Sequence, residues 1–127
     1  MPTCIAGMHR SGTSLLSKLL HTCGLYIGPD ADILPASSSN SEGHWENLRF
    51  YTLNEALLAQ SDSAWNLVRP LNDNWELAPS YDPLREQAVQ LVKSFDGREP
   101  WGWKDPRNSL TLPFWLRQIP DLKVIIS

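Results

Sequence analysis

The sequence predicts an α/β fold, a three-layer α/β/α sandwich around a parallel sheet. Three observations carry that expectation. Residues 3–6 and 123–127 are short apolar runs with the composition of strands buried on both faces. Between them lie segments whose apolar residues recur at helical spacing, and strands that alternate with helices call for a parallel sheet covered on both sides. A glycine-bounded loop, Gly7 to Gly12, follows the first strand directly.

Each element can be read in turn. Residues 3–6 end at Gly7, which closes the first strand. From Gly12 to Cys23, the residues Leu15, Leu16, Leu19, Leu20 and Cys23 fall on one helical stripe of the kind a helix buries. Gly24 stands where a helix C-terminal glycine belongs. Residues 25–46, with Pro29, Pro35 and a serine-rich run, have loop chemistry, and a loop of that length in a compact domain commonly carries function. Phe50, Leu53, Asn54, Leu57 and Leu58 predict a second helix, and residues 61–81 read as irregular. Asp82-Pro83 reads as an N-cap followed by proline at the first helical position. Leu84, Ala88, Leu91, Val92 and Phe95 supply that helix's stripe, and Asp96-Gly97 stops it. Trp101-Gly102-Trp103 predicts a short strand ending at Lys104. A last helix over 111–118 places Pro113 in its first turn, and residues 123–127 form a buried parallel strand. Residues 1–127 read as a single domain, and a parallel sheet that stops on its last strand predicts a domain incomplete at its C-terminus.

Composition narrows the function classes. A net charge of −3 excludes a general nucleic-acid binder, which needs a basic surface for phosphates, yet leaves room for a local anion site. No apolar stretch approaches the length of a membrane span. The start, Met1-Pro2-Thr3-Cys4, lacks the charged and apolar regions of a signal peptide, so a cytoplasmic location is expected. The two cysteines, Cys4 and Cys23, show neither CxxC nor Cys/His ligand spacing. They predict buried reduced thiols rather than a disulfide framework or zinc site, and no metal is expected. Of six tryptophans, most gather around Trp45, Trp65, Trp75, Trp101 and Trp103, where core packing and an aromatic wall beside a ring-shaped ligand are the two readings.

The glycine loop carries the chemistry. Between a buried strand and a helix N-terminus, backbone N–H groups and the helix dipole favour an anion. Gly7 and Gly12 let the backbone wrap a phosphate closely, and Thr13 and Ser14 add hydroxyls at the first helical turn. The spacing Gly7-x-x-x-x-Gly12 matches a P-loop, and the expected sandwich is P-loop-like. A nucleotide triphosphatase, however, needs lysine after the second glycine, and here that residue is Thr13. The cation sits earlier, at Arg10.

Gly7-Met8-His9-Arg10-Ser11-Gly12-Thr13-Ser14 after an N-terminal strand resembles the 5′-phosphosulfate loop of sulfotransferases that use 3′-phosphoadenosine 5′-phosphosulfate. Trp103-Lys104-Asp105-Pro106-Arg107 resembles the Lys-Asp-Pro segment of many of these enzymes, and Gly43-His44-Trp45-Glu46 is similar to the acceptor-side loop of bacterial members. The resemblance implies that Gly7, Ser11, Gly12, Thr13 and Ser14 bind the 5′-phosphate. It implies that Arg10 reaches the sulfuryl or bridging oxygen, that Lys104 stabilises the leaving phosphate, and that Glu46 takes the acceptor proton, with His44 second and Glu42 also available. It implies a small-molecule or glycan acceptor, with hydroxyl and amine both open, and a transfer without a metal. The family's 3′-phosphate site follows the next strand, beyond Ser127.

The bland alternatives are specific. Glu46 or Asn47 can cap the helix that follows, Lys104 can be a solvated loop lysine, Asp105 and Arg107 can pair with each other, and His9 and His21 read as bystanders. At the level of function, the alternatives are a P-loop nucleotide kinase or NTPase, which the missing lysine disfavours, and a truncated fragment that binds nucleotide without catalysis.

Overall fold

A computed structural model of the chain describes residues 1–8, 12–35, 43–61 and 73–127. Strands β1 (Thr3–Ala6), β2 (Gly102–Lys104) and β3 (Lys123–Ile126) make a parallel sheet in the order β2-β1-β3. Around it, among the described residues, lie four helices, α1 (Thr13–Thr22), α2 (Leu48–Gln60), α3 (Asp82–Lys93) and α4 (Asn108–Gln118). The fold is α/β with a parallel sheet, as the alternation of patterns predicts.

Register sorts the two faces. Cys4 lies opposite Trp103, and both enter one buried cluster with Phe50, Leu53 and Leu57 of α2, Leu91 of α3, and Phe114 and Trp115 of α4. Ile5 and Lys104, the next pair in register, point to the opposite face by the two-residue alternation of a strand. On that face α1 packs against β1 and β2. Helices therefore lie on both faces of the sheet, an arrangement compatible with three layers.

Aromatic rings fill the α2–α4 side. Phe50 stacks on Trp103 with centroids 4.2 Å apart, Phe95 stacks on Trp101 at 4.4 Å, and Trp115 tilts against Phe50 at 5.1 Å. Such pairs contribute about 0.5–1.5 kcal/mol each beyond area burial. Packing is thus the role of Trp101, Trp103 and Trp115, with Trp75 at the cluster's margin. Trp65 lies outside the described residues.

Several local expectations are corrected. Asp82 is the first residue of α3 and not its cap, because a 3-10 turn over Pro79–Tyr81 winds straight into the helix and leaves Asp82 with helical angles. Helix α4 begins at Asn108, so Pro113 lies inside it and not in its first turn. The early start comes from the Asp105 turn, where the carboxylate accepts Arg107 N–H at 3.0 Å and the carbonyl accepts Asn108 N–H at 3.0 Å. On α1, Leu15 and Leu19 are 58 % and 54 % exposed, while Thr13 and Ser17 are buried. The row turned inward is polar because it meets backbone carbonyls, Ser17 donating to Trp45 O at 3.4 Å. On β3, Val124 and Ile125 are half-buried and Ile126 is 77 % exposed, so that strand is not covered on both faces.

The cysteines divide in the same way. Cys4 is buried, and Cys23, expected to be buried, is exposed beyond the last turn of α1. Burial, reinforced by the nearby Asp105 carboxyl, pushes the Cys4 thiol far above the ordinary thiol range. Iodoacetamide at pH 8 should therefore add one group to the native chain, at Cys23, and two in denaturant, as read by intact mass. Native labelling of Cys4 at a rate comparable to that of Cys23 would contradict the burial.

Candidate anion site

Lys104 ends β2, at the C-terminal edge of a parallel sheet where open α/β folds bind ligands. It is only 3 % exposed, yet its ammonium is fully engaged. Nζ donates to Glu46 Oε1 at 2.7 Å, to Ser14 Oγ at 3.3 Å and to the His44 carbonyl at 3.3 Å. Ser14 Oγ in turn donates to His44 O at 3.3 Å. Ser14 and the segment carrying His44 and Glu46, distant from Lys104 in the sequence, thus meet around its ammonium. Lys104 is no solvated loop lysine.

Each arm of the cluster is held by its own local structure. Gly12 precedes α1 with φ +89°, a left-handed conformation that glycine adopts without the steric penalty of a side chain. Thr13 and Ser14 open the helix, whose first turn contains no acidic residue and no side-chain cap among the described residues. The segment carrying His44 and Glu46 turns at Trp45, a bulky residue at φ +59°. A non-glycine residue held there costs of order 1–3 kcal/mol, and such strain collects at functional sites. The turn brings the His44 and Trp45 carbonyls onto Ser14 and Ser17, and the Trp45 ring lies 5.5 Å from His21. Beyond it, Glu46 O accepts Leu34 N–H at 2.8 Å.

Asn47, and not Glu46, caps α2. Its Oδ1 accepts Arg49 N–H at 2.9 Å and Phe50 N–H at 3.4 Å, and its Nδ2 donates to Ile27 O at 2.9 Å. The cap packs so closely on Gly28 that a Cβ there would fall 2.3 Å from Asn47 Nδ2. With the helix start satisfied by its neighbour, the Glu46 side chain is available for Lys104.

A second polar network sits on the other side of the same strand end. The Asn54 amide is saturated: Nδ2 donates to Asp105 Oδ2 and Asn108 Oδ1, both at 2.9 Å, while Oδ1 accepts from Thr111 Oγ1 at 2.9 Å and Trp115 Nε1 at 2.8 Å. Asp105 also pairs with Arg107 Nη1 at 2.9 Å, and Arg107 reaches Glu55 and lies over the Tyr51 ring. Burial raises the Asp105 carboxyl above the usual carboxylate range, against the pull of Arg107 and Asn54. Burial works against the Arg107 charge too, but Asp105 and Glu55 outweigh it and raise its pKa. The expected pairing of Asp105 with Arg107 is therefore present. Asn54, read from the sequence only as part of a helical stripe, proves to be the hub of this network. Its signal was weak, a polar residue at an apolar stripe position.

Of the residues singled out in the sequence, Gly7, Gly12, Thr13, Ser14, His44, Glu46 and Lys104 are described. Lys104 and Ser14 stand together on the loop side. Glu46 joins by its side chain, and His44 by its backbone carbonyl. His9, Arg10, Ser11 and Glu42 lie outside the described residues. Comparison with protein-family models, with curated proteins and with solved structures returned no match.

Asn54→Leu tests the hub. It strands Trp115 Nε1 and Asp105 Oδ2, and unsatisfied buried groups cost about 1–3 kcal/mol each. Urea unfolding should show a loss of about 2–6 kcal/mol. A loss well under 1 kcal/mol would mean the network does not depend on Asn54.

Proposed function

We propose that the chain carries the donor site of a sulfotransferase that uses 3′-phosphoadenosine 5′-phosphosulfate, on a P-loop-like sandwich, with a hydroxyl or amine acceptor. The observation that carries this reading is the buried Lys104 ammonium beside Ser14, on the first turn of α1. A glycine loop after a central parallel strand, a helix N-terminus and a cation at the neighbouring strand's end suit a phosphate-ended donor. A P-loop kinase or NTPase takes its lysine from the residue after the second glycine. Here that residue is the buried Thr13, and the cation beside the helix comes from β2, which favours the sulfotransferase.

In this reading the backbone from Gly7 to Gly12, with Ser11, Thr13 and Ser14, holds the 5′-phosphate, and Arg10 faces the sulfuryl group. Lys104 neutralises the leaving phosphate oxygen. The acceptor oxygen bonds sulfur as the sulfur–bridging oxygen bond breaks. The electron pair goes to the departing phosphate, and the acceptor proton goes to the Glu46 carboxylate. Such a transfer asks mainly for positioning and fixed charge. Among the candidate bases, Glu46 is favoured over His44 because its carboxylate, and not only its backbone, reaches the Lys104 cluster.

Calorimetric titration with 3′-phosphoadenosine 5′-phosphosulfate in EDTA should give binding without added metal. Lys104→Met should weaken it about 10–100-fold, the worth of a charge-assisted hydrogen bond, with the far-UV spectrum retained. Arg10→Ala should abolish sulfuryl transfer while the chain stays folded. Failure to bind this donor, alongside binding of ATP with magnesium, would overturn the reading in favour of an NTPase. Donor binding with no transfer to any hydroxyl or amine acceptor would leave a nucleotide-binding module only.

A further inference from the structure

Lys104 has three N–H bonds to give, and all three are given, to Glu46, Ser14 and His44. A donor phosphate can reach this ammonium only by taking the place of one of them. Ser14 and His44 are neutral partners already joined to each other. Glu46 is the anion of the set, buried and 2.7 Å from Nζ. A second anion brought to the same buried cation meets the Glu46 carboxylate at close range, where like charges repel strongly. The Glu46 backbone is fixed by Leu34 and by the Asn47 cap that follows it, so its side-chain torsions are what can carry the carboxylate away.

Resting on the donor-site reading above, we infer that Glu46 is an internal competitor for the donor anion and gates the order of events. Donor binding takes Lys104 from Glu46, and the carboxylate so released becomes available to the acceptor proton. Before that exchange, the Glu46 carboxylate is engaged by Lys104 and is not presented to an acceptor. The donor therefore binds first, and deprotonation of an acceptor without a donor in place is suppressed.

The exchange has a signature opposite to that of an ordinary binding residue, because removing Glu46 tightens binding. If the Lys104–Glu46 pair is closed some 90–99 % of the time, apparent affinity is lowered about 10–100-fold. Calorimetry with adenosine 3′,5′-bisphosphate as probe should then show Glu46→Gln binding about 10–100-fold more tightly than wild type, with most of that gain lost in the Lys104→Met background. An equal gain in both backgrounds would reveal general charge repulsion and overturn the exchange, as would no gain at all. Absence of binding by wild type and Glu46→Gln alike would instead sink the donor-site reading and the inference with it. A measurement on the wild-type chain covers the case in which Glu46→Gln fails to fold. The side-chain carboxyl ¹³C resonance of Glu46 should move as the nucleotide saturates, and a resonance unmoved at saturation overturns the proposal.

Discussion

A buried ammonium must have its charge and all its donors met inside the protein, and Lys104 imposes that demand on everything near it. An isolated charge in such a place would cost far more than a domain's net stability. The requirement is met by a hydroxyl from the first turn of α1 and by a carbonyl and a carboxylate from the segment before α2. Each of those places is shaped accordingly. Helix α1 turns a polar row toward the sheet and leaves Leu15 and Leu19 outward. The segment before α2 accepts a left-handed Trp45 so that two carbonyls face the α1 serines. Asn47 takes over the helix cap and leaves Glu46 for the cation.

The strand end is gripped twice, by the residue leading into α2 and by α2 itself. Glu46, just before α2, holds Lys104, and Asn54, two turns along α2, holds Asp105. Consecutive residues of the chain thus face opposite sides, each tied to the same element. Between these ties the Phe50 ring stacks on Trp103. Packing and polar bonding therefore fix the same distance, that between α2 and the end of β2. Mutual support of this kind favours a single well-defined arrangement over several loose ones.

Much of the framework was legible because it rests on local patterns. The first strand and the stripes Phe50, Leu53, Leu57 and Ala88, Leu91, Phe95 follow from residue type and from periodicities that chain geometry enforces. Boundaries were less legible. The Asp105 turn starts α4 ahead of Pro113, through hydrogen bonds that no propensity records. Among the site residues, Gly12, Thr13 and Ser14 stood out by spacing. His44 and Glu46 stood out by resemblance, and Lys104 by resemblance and by its place at a strand end; that placed them in one site without saying that Lys104 would bond to Glu46 and to the His44 carbonyl.

The sequence by itself determined the α/β class, the parallel sheet and the presence of a glycine-bounded helix start, since each follows from residue type and period along the chain. Tertiary structure alone decided which side of α1 is buried, that Cys23 is exposed while Cys4 is not, that Asn54 is a hub, and that Glu46 is the counter-ion of Lys104. Those outcomes depend on which distant segments come to lie together. A side chain's hydrogen-bonding capacity is fixed by its chemistry, but its partner is fixed by the fold.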